Sequence, residues 1–427
     1  MALRRQVLLL AARALEQRLN ADTSDHAGPE VPCVCGEPAS YRGRHRKTFE
    51  SVLGSLQLER AYYYCGKCKS GYCPRDRALG MTLFSLTPGV LRMTGSAAAL
   101  VSFEESHTLL HELAGVEVSV SQVQRAAEAL GAAIAADERG CVEKTGEVAP
   151  TMYLGMDGTG VPVRPSEVAG RSGKQADGSA KTREAKVVAI WSAESRDQEG
   201  QPMRDPGSIT YSSAIESAAA SDSSPQRSDL AERVLREAAR RGFTDAPRCA
   251  VLGDGSAWIW NTAAELFPQA IQIMDRYHVK QTLHRTAQSI FGATSDEAKT
   301  WATARCAELD DGKLQAIIHA LRPHAASSAE VAKCMTYILR NRPRMRYPKF
   351  HAQGLCTSTG VLESGCKVVI GTRLKRSGMH WTVSGANSII ALRCCKLSGR
   401  FEDFWERRAT PLKANTVHLK HFCDILF

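Results

Sequence analysis

Three acidic residues lie far apart in the chain, each in a setting that suits metal binding. Asp157 follows the apolar run Met-Tyr-Leu-Gly-Met, and Asp254 follows Val-Leu-Gly. Glu363 lies in Gly-Val-Leu-Glu-Ser-Gly-Cys-Lys, a helical pattern surrounded by basic residues. Because buried strands of an open α/β sheet end at one edge, the two aspartates are expected to converge there. Three carboxylates can hold a pair of Mg²⁺ ions for phosphoryl chemistry.

Each acid also has an ordinary structural explanation. The Asp-Gly sequence at 157–158 is a frequent tight turn, and Glu363 is spaced to pair with Lys367 on a helix surface. A turn explains Asp254 less well, because Ser256 follows it as a candidate helix cap. This acid therefore falls at a predicted strand–helix junction, where sites form in α/β proteins.

A second strand–helix unit brings two more candidates. The pattern over 270–274 predicts a strand, and Asp275 and His278 follow at its carboxyl end. Two successive units that each finish in an acid put Asp254 and Asp275 at the same predicted sheet edge. We interpret His278 as a supporting residue, since a single histidine in such a place is more often a hydrogen-bonding partner than a ligand.

Four cysteines form two close pairs separated by strand-like sequence. They are Cys33, Cys35, Cys65 and Cys68. This layout is typical of a zinc ribbon with four thiolates, although the first pair is separated by one residue and not by two. Cys73 and His45 are further candidate ligands, and buried structural cysteines are the alternative. Nearby arginines and a lysine favour the zinc interpretation.

The composition favours a polyanionic partner. The chain has 427 residues, a formal net charge of +10, 43% hydrophobic residues and 23% charged residues. This length allows two to four domains, and the balance is ordinary for a soluble globular protein. A modest basic excess can also be a solvated surface. The first residues suit an amphipathic helix better than a signal peptide, and no run reaches the ~20 apolar residues of a membrane helix. We therefore expect a cytoplasmic protein without a membrane partner.

Basic residues cluster around Glu363, together with one tryptophan. They are Arg340, Arg342, Arg344 and Arg346 before it, and Lys367, Arg373, Lys375, Arg376 and Trp381 after it. Solvated helix faces have similar compositions. So many cations around one acid repel one another, however, and the phosphates of DNA would offset that repulsion. These residues are therefore the predicted DNA contacts.

The order of predicted elements gives an α/β pattern after a cysteine-rich start. Strands are predicted at 152–157, 186–192, 248–253 and 270–274, and helices at 228–241, 256–266 and 278–290. Upstream, a short helix over 109–113, a turn and a longer helix that begins near Ser119 or Ser121 are compatible with a DNA-reading helix-turn-helix. The same pattern also describes an ordinary packed helix pair.

Several motifs together resemble a known family. They include Thr-Phe-Glu-Ser-Val-Leu-Gly and Glu-Arg-Ala-Tyr-Tyr-Tyr-Cys in the cysteine-rich block, Met-Asp-Gly-Thr-Gly-Val-Pro-Val, and Lys-Thr-Arg-Glu-Ala-Lys. Further motifs are Val-Leu-Gly-Asp-Gly-Ser-Ala-Trp-Ile-Trp-Asn, Asp-Arg-Tyr-His, and Gly-Thr-Arg-Leu-Lys-Arg-Ser-Gly-Met-His-Trp. Over roughly 33–408 the chain resembles bacterial insertion-sequence transposases of the ISKra group, which are related to the Mutator-type DDE transposases.

The resemblance implies a site and a fold. It implies Asp157, Asp254 and Glu363 as the catalytic triad, and it matches Asp275 and His278 to an Asp-x-x-His signature. The resemblance also implies an RNase H-like catalytic core with a helical insertion. Together with the patterns above, it gives a predicted fold class of α/β, in which a zinc-ribbon-like and a helical, helix-turn-helix-like DNA-binding region precede that core.

These features predict seven segments. They are an N-terminal helix (1–20), a zinc-ribbon-like domain (21–80), a helical DNA-binding region (81–147), the first part of the RNase H-like core (148–278), the helical insertion (279–354), the second part of the core with the catalytic glutamate (355–408) and a C-terminal tail (409–427).

The predicted activity is DDE transposition. Two Mg²⁺ or Mn²⁺ ions at the triad would support cleavage of DNA at the element's terminal inverted repeats and transfer of the freed 3′-OH into target DNA. Zn²⁺ at the four cysteines would be structural. Because a transposase acts on two element ends, we expect a homo-oligomer assembled on DNA. The alternatives are a zinc-ribbon DNA-binding protein without catalysis, a decayed transposase that only binds ends, and a structure-specific nuclease.

Overall fold

The structure, a computed structural model, describes residues 2–144, 146–173, 175–218, 227–358 and 360–409. The chain divides into two compact units, one of residues 1–135 with the segment from 400 onward, and one of residues 136–399. Both contain helices and sheet, so the protein is mixed α/β. All but the first residue of the predicted 409–427 tail lies outside the described residues. Among the described residues, no helix is long and apolar enough to cross a bilayer.

The first unit is built around a four-stranded antiparallel sheet. Its strands follow one another in the order β1-β2-β3-β4. They are β1 (Glu30–Pro32), β2 (Pro38–Ser51), β3 (Gly54–Cys65) and β4 (Ser70–Tyr72). A tight turn closes the long β2–β3 hairpin, where Gly54 has φ +122°, a conformation that favours glycine. Alternate hairpin residues such as Phe49, Leu56 and Leu58 are buried together with Ala12 and Leu19.

Helices complete this unit. They are α1 (Ala2–Ala21), α2 (Pro74–Ala78), α3 (Pro88–Leu100), α4 (Phe103–Leu109) and α5 (Val120–Gly140), of which α5 continues into the second unit from residue 136. Ser102 and Glu105 form a reciprocal capping box at the start of α4. Gly115 ends the following π turn in the left-handed region, and Ser119 caps α5 through the N–H of Gln122. The predicted helix–turn–helix segment is thus a helix pair, and its reading of DNA stays a prediction.

The second unit contains a five-stranded mixed sheet. Its strands are β5 (Thr151–Pro162), β6 (Thr182–Ser192), β9 (Thr210–Ala214), β10 (Arg248–Gly253) and β11 (Ile271–Met274), and a small separate hairpin is formed by β7 (Ser195–Arg196) and β8 (Pro202–Met203). The strand order is β11-β10-β5-β6-β9. β10 runs parallel to both β5 and β11, whereas β6 runs antiparallel to β5 and β9. Long buried apolar runs in β5, β6 and β10 are what a sheet covered on both faces requires.

Helices surround this sheet and fill the segment between β11 and Glu363. They are α6 (Asp229–Arg240), α7 (Ala257–Leu266), α8 (Arg276–Phe291), α9 (Asp296–Asp310), α10 (Leu314–Leu321), α11 (Ala329–Asn341), α12 (Tyr347–Ala352), α13 (Gly360–Gly365), α14 (Thr372–Leu374) and α15 (Val383–Leu397). A π-helical segment, Cys366–Gly371, continues α13. The last helix, α16 (Phe401–Ala409), belongs to the first unit.

Two glycines show how helices reach the sheet. A Cβ on Gly253 would meet Ile259 of α7 at 2.7 Å, and a Cβ on Gly155 would meet Leu362 of α13 at 1.7 Å. Gly253 pairs laterally with Met156, the residue after Gly155. Because successive strand residues face opposite sides, α7 and α13 pack on opposite faces of the sheet.

Candidate functional site

Three aspartates lie side by side at one edge of the second unit's sheet. Gly253 of β10 is in register with Met156 of β5 and with Met274 of β11. The residues that follow are Asp254, Asp157 and Asp275 respectively, and the backbone N–H of Asp275 donates to the carbonyl of Gly253 at 2.8 Å. The parallel pairing of the three strands therefore aligns the three acids.

Asp157 is held by hydrogen bonds from two directions. Its Oδ2 accepts from the thiol of Cys366 at 3.2 Å, and its Oδ1 accepts from the N–H of Gly158 at 2.7 Å. Burial raises the pKa of Asp157 and the negative charge of Asp254 raises it further, whereas these hydrogen bonds oppose the rise. A carboxylate in this environment gains from a cation that offsets its charge.

Asp275, His278 and Glu363 form a group with metal-ligand spacing. One ligand atom of each lies within 4.8 Å of the others. Asp275 is fully buried and caps α8, accepting from the N–H groups of Tyr277 and His278 at 2.6 and 3.0 Å. Its carboxylate lies 3.4 Å from Nδ1 of His278 and raises the pKa of that ring, and Asp254 and Glu363 add to the rise. The two predicted supporting residues and the predicted glutamate are thus together.

The charges of these predicted site residues affect the pKa values of their neighbours. Asp254 acts on the pKa of both Asp157 and His278, and Glu363 acts on that of His278. The ligand-spaced group contains Glu363 but not Asp157 or Asp254, which lie on the neighbouring strands. The predicted acids are therefore gathered at one sheet edge, where they can present oxygen ligands to a cation.

Two further residues at this edge carried no signal in the sequence. Cys366 is one of many cysteines, and only its contact with Asp157 distinguishes it. Tyr337 of α11 packs so closely that a Cβ on Gly255 would meet its ring at 2.2 Å. Its hydroxyl contacts the sulfur of Met274 at 3.4 Å, and burial, then the charge of Asp254, raises its pKa. Residues of the helical segment thus help to build the wall beside Asp254.

The four predicted cysteine ligands come together in the first unit. Their sulfur atoms all lie within 4.8 Å of one another, with Cys33 and Cys68 3.5 Å apart and Cys35 and Cys65 3.6 Å apart. A disulfide would need about 2.05 Å, whereas four sulfurs at 2.3 Å from one ion are separated by about 3.8 Å. The group could therefore hold a metal ion such as zinc. Neither Cys73 nor His45 belongs to it.

The predicted DNA contacts differ in exposure. Lys367 and Lys375 are exposed, and Nζ of Lys375 donates to the hydroxyl of Thr159, two residues after Asp157. Arg340, Arg342 and Arg346 are exposed and Arg344 is half-buried. Arg376 is also exposed.

Two of those predicted contacts require correction. Arg373 is 0% exposed, with its guanidinium 5.3 Å from the ring centre of Trp381, which is 7% exposed and donates to the carbonyl of Leu374. An arginine can be buried against an aromatic ring, and here that contact belongs to the core. Neither residue presents a surface to DNA in this structure.

Comparisons with known proteins give a family and two weaker likenesses. Residues 40–408 match the model of the uncharacterised protein family UPF0236. A UPF0236 protein in the vanSb 3′ region of Streptococcus gallolyticus is 32% identical over 85 residues, which are 20% of this chain and 18% of that relative's length. The Drosophila P element transposase strand transfer complex aligns over 74% of this chain and 80% of that chain, with 10% identity and a TM-score of 0.25. Because the family match extends over most of the sequence, the chain belongs to the uncharacterised protein family UPF0236.

Proposed function

We propose that this protein is a DDE transposase of the ISKra group, which cleaves DNA at insertion-sequence ends and joins them to target DNA. The observation that carries the proposal is the acidic sheet edge. Asp157 and Asp254 follow paired residues of adjacent parallel strands, and Glu363 lies within ligand distance of Asp275 and His278. Asp157, Asp254 and Glu363 are the proposed catalytic carboxylates, and Asp275 and His278 support them.

The charges at this edge support cation binding. Among the described residues, no lysine or arginine forms an ion pair with Asp157, Asp254 or Glu363; cations of the same unit pair with other acids, Lys186 with Glu184 and Arg276 and Lys280 with Asp310. The imidazole of His278 is one possible positive charge beside several carboxylates, and the remaining excess of negative charge costs free energy through desolvation and repulsion. Bound divalent cations would offset this cost. DNA binding alone would not, so a protein that only bound DNA would have no use for these carboxylates.

The donor set fits magnesium. Carboxylate oxygens are the ligands that Mg²⁺ and Mn²⁺ prefer. The ring of His278 is half-buried, and its buried Nδ1 atom lies 3.4 Å from the carboxylate of Asp275 but makes no hydrogen bond among the described residues. Two such ions, when bound, would polarise a phosphodiester and lower the pKa of an attacking water. Asp157 and Asp254 would hold the ions and Glu363 would complete the site. The hydrogen bonds from Cys366 and Gly158 would keep the carboxylate of Asp157 in one orientation.

The topology of the second unit supports an RNase H-like core. Its first three long strands form an antiparallel meander, and β10 and β11 then add in parallel beside β5. Helices α8 to α12 lie between the acid after β11 and the helix that carries Glu363. This segment corresponds to the proposed helical insertion.

DNA would be the partner, as element ends and as target. The exposed Lys375 contacts Thr159, two residues after Asp157, and would contact a backbone phosphate next to the scissile one. The four-cysteine group would hold a structural zinc ion in the first unit, which we propose recognises the element ends. Assembly on two ends would require a homo-oligomer, and the DNA substrate implies a cytoplasmic protein.

The test is cleavage and joining of DNA that carries the sequences flanking the gene. Asp157→Asn, Asp254→Asn and Glu363→Gln should each lower cleavage in Mg²⁺ by several orders of magnitude, because each removes a metal ligand, yet leave DNA binding intact. Asp311→Asn, at an exposed acid of the helical segment, is the control and should cleave normally.

The reaction products distinguish the proposed transposase from the alternative functions. A transposase yields strand-transfer products, a structure-specific nuclease yields cleavage alone, and a protein that only binds ends yields neither. Normal cleavage by the Glu363→Gln variant would refute the assignment of the triad.

A further inference from the structure

A cavity of about 420 Å³ opens beside the edge strand β11, at the start of the strand and away from Asp275. Its walls come from the first residues of β11 and those just before them, the end of α11, the 3₁₀ turn that follows, and α12 with the residues on either side of it. Four lining residues are cations and none is acidic. The cations are Arg340, Arg344, Arg346 and Lys349.

Arg344 is fixed in this cavity by neutral partners. Its Nε donates to Oε1 of Gln272 at 2.7 Å, its Nη1 donates to Oδ1 of Asn341 at 2.9 Å, and its guanidinium lies 4.5 Å from the ring centre of Trp260. Burial lowers its pKa, but an arginine stays charged at neutral pH. A guanidinium has five N–H groups, so further donors of Arg344 are available to a ligand.

The four cations have no acidic partner among the described residues. Ion pairs elsewhere in the helical segment join Arg276 and Lys280 to Asp310, and Arg305 to Glu308. The arginines and the lysine therefore give the lining of the cavity a net positive charge, which favours an anion there. The half-buried position of Arg344 distinguishes the cavity from a solvated basic surface.

The cavity is larger than a phosphate group and partly apolar. Phe350, Pro343 and Ile271 contribute to its lining. A volume near 420 Å³ falls within the range of small-molecule sites. We propose that the cavity binds one nucleotide, with its phosphate on the arginines and its base or sugar against the apolar wall.

The nucleotide could be free or could be a unit of a DNA strand. Ile271 and Asp275 are four residues apart along an extended strand, which is about 13 Å. At 3.4 Å per nucleotide, a strand that reaches from the acidic edge to the cavity spans about four nucleotides. Binding as part of a DNA strand rests on the proposed function, whereas binding of a free nucleotide does not.

The experiment uses the full-length protein in buffer without Mg²⁺, so that cleavage plays no part. Isothermal titration measures binding of deoxyadenosine 5′-monophosphate, of deoxyadenosine, and of a 12-nucleotide single strand. The test variant is Arg346→Gln with Lys349→Gln, both exposed residues. Lys333→Gln is the control, because Lys333 is an exposed cation of α11 that neither lines the cavity nor belongs to the predicted DNA contacts.

We expect the double variant to bind at least tenfold more weakly than the wild type, and the control to stay within twofold. If the loss appears with the monophosphate, the cavity accepts a free nucleotide; if it appears with the oligonucleotide alone, the cavity holds a unit of DNA. Deoxyadenosine should not bind. Equal affinity of the wild type and the double variant for both phosphorylated probes, or equal losses in the double variant and the control, would overturn the proposal. Loss of cleavage in the triad variants has no bearing on this result.

Discussion

The thiol of Cys366 donates a hydrogen bond to Oδ2 of Asp157 at 3.2 Å, across 209 positions of the sequence. Burial raises the pKa of Cys366, and the charge of Asp157 raises it further, so the thiol remains a donor at neutral pH. With the N–H of Gly158 on the other oxygen, both oxygens of Asp157 are held. The orientation of this carboxylate therefore depends on a residue that is not an acid.

Replacing Cys366 by alanine should lower the rate of DNA cleavage. The variant loses a hydrogen bond to a charged group, worth about 1.5–3 kcal/mol, so we expect roughly a tenfold to hundredfold slower reaction. Cys366→Ser keeps a donor in nearly the same place and should remain close to the wild type. Single-turnover cleavage measures both variants.

Cys306→Ala provides the control, because Cys306 is another cysteine that is 9% exposed and lies in α9. The Cys306→Ala variant should lose about as much stability as Cys366→Ala but should cleave DNA at the wild-type rate. Equal rates for Cys366→Ala and Cys306→Ala would show that the thiol does not orient Asp157.

Gly155→Ala should displace the helix that carries Glu363. The added methyl would meet Leu362 at 1.7 Å and the ring of Trp191 at 2.9 Å, both in the core. Overpacking of this kind costs about 1–3 kcal/mol, and we expect cleavage to fall further than stability does. Adding Leu362→Ala should restore part of the activity.

The matched variant is Gly140→Ala, since a Cβ at Gly140 would meet nothing within 4 Å. Cleavage assays and thermal denaturation of the three variants provide the comparison. A Gly155→Ala protein with normal cleavage would exclude any control of Glu363 through this contact.

Purified protein should contain about one zinc ion per chain, the number that four cysteines hold. Cys65→Ser with Cys68→Ser should lose it, whereas Cys73→Ser should keep it, because Cys73 is buried outside the group. Elemental analysis measures the metal. Zinc-free wild-type protein would leave the group as four ordinary thiols.

Tryptophan emission should show whether the loss of zinc affects the fold of the second unit. Five of the six tryptophans, all except Trp405, lie in the second unit. We expect the emission of the double cysteine variant to stay close to that of the wild type. A large shift would mean that the second unit needs the zinc group to fold.

Asp205 should make the stability of the second unit depend on pH. Burial opposes its charge, but the hydroxyls of Ser192 and Ser195 donate to it at 2.5 and 2.6 Å and lower its pKa. A carboxyl with a lowered pKa stabilises the fold above about pH 4, its unfolded value, and this contribution is lost as the pH falls further.

Asp205→Asn should therefore lower the melting temperature by a few degrees at pH 7, and the difference from the wild type should shrink below pH 4. Asp296→Asn, at an acid whose side chain is 93% exposed, is expected to change little at either pH. Thermal denaturation measured from pH 7 down to pH 3 tests this. A difference that stays constant over the whole range would contradict the assignment to Asp205.

The positions of the acids at the sheet edge were predicted from the sequence better than the rest of the sheet. Apolar runs before Asp157, Asp254 and Asp275 marked three strands, and strand pairing then aligned their ends. The strand β9 was missed because Thr-Tyr-Ser-Ser-Ala has no apolar run, although all five residues are buried. Its burial comes from covering helices, which a local pattern does not reveal.

The exposure of the predicted DNA contacts was the least predictable part. Arg373 and Lys375 are two positions apart in one basic cluster, yet one is in the core and the other is exposed. On a short, irregular helical segment, charge says little about which side chain faces solvent. The pairing of Cys366 with Asp157 was equally hidden, since it depends on how a π-helical segment packs against β5.

The shared register of β5, β10 and β11 makes the candidate site sensitive to the length of the chain as well as to its composition. Side chains alternate between the two faces of a strand, so one residue inserted into β10 would turn Asp254 to the opposite face. The acid would still be present in the sequence, but it would no longer lie beside Asp157. A copy of this gene that kept every acid could therefore lose its function through a single inserted codon within six residues, Arg248–Gly253.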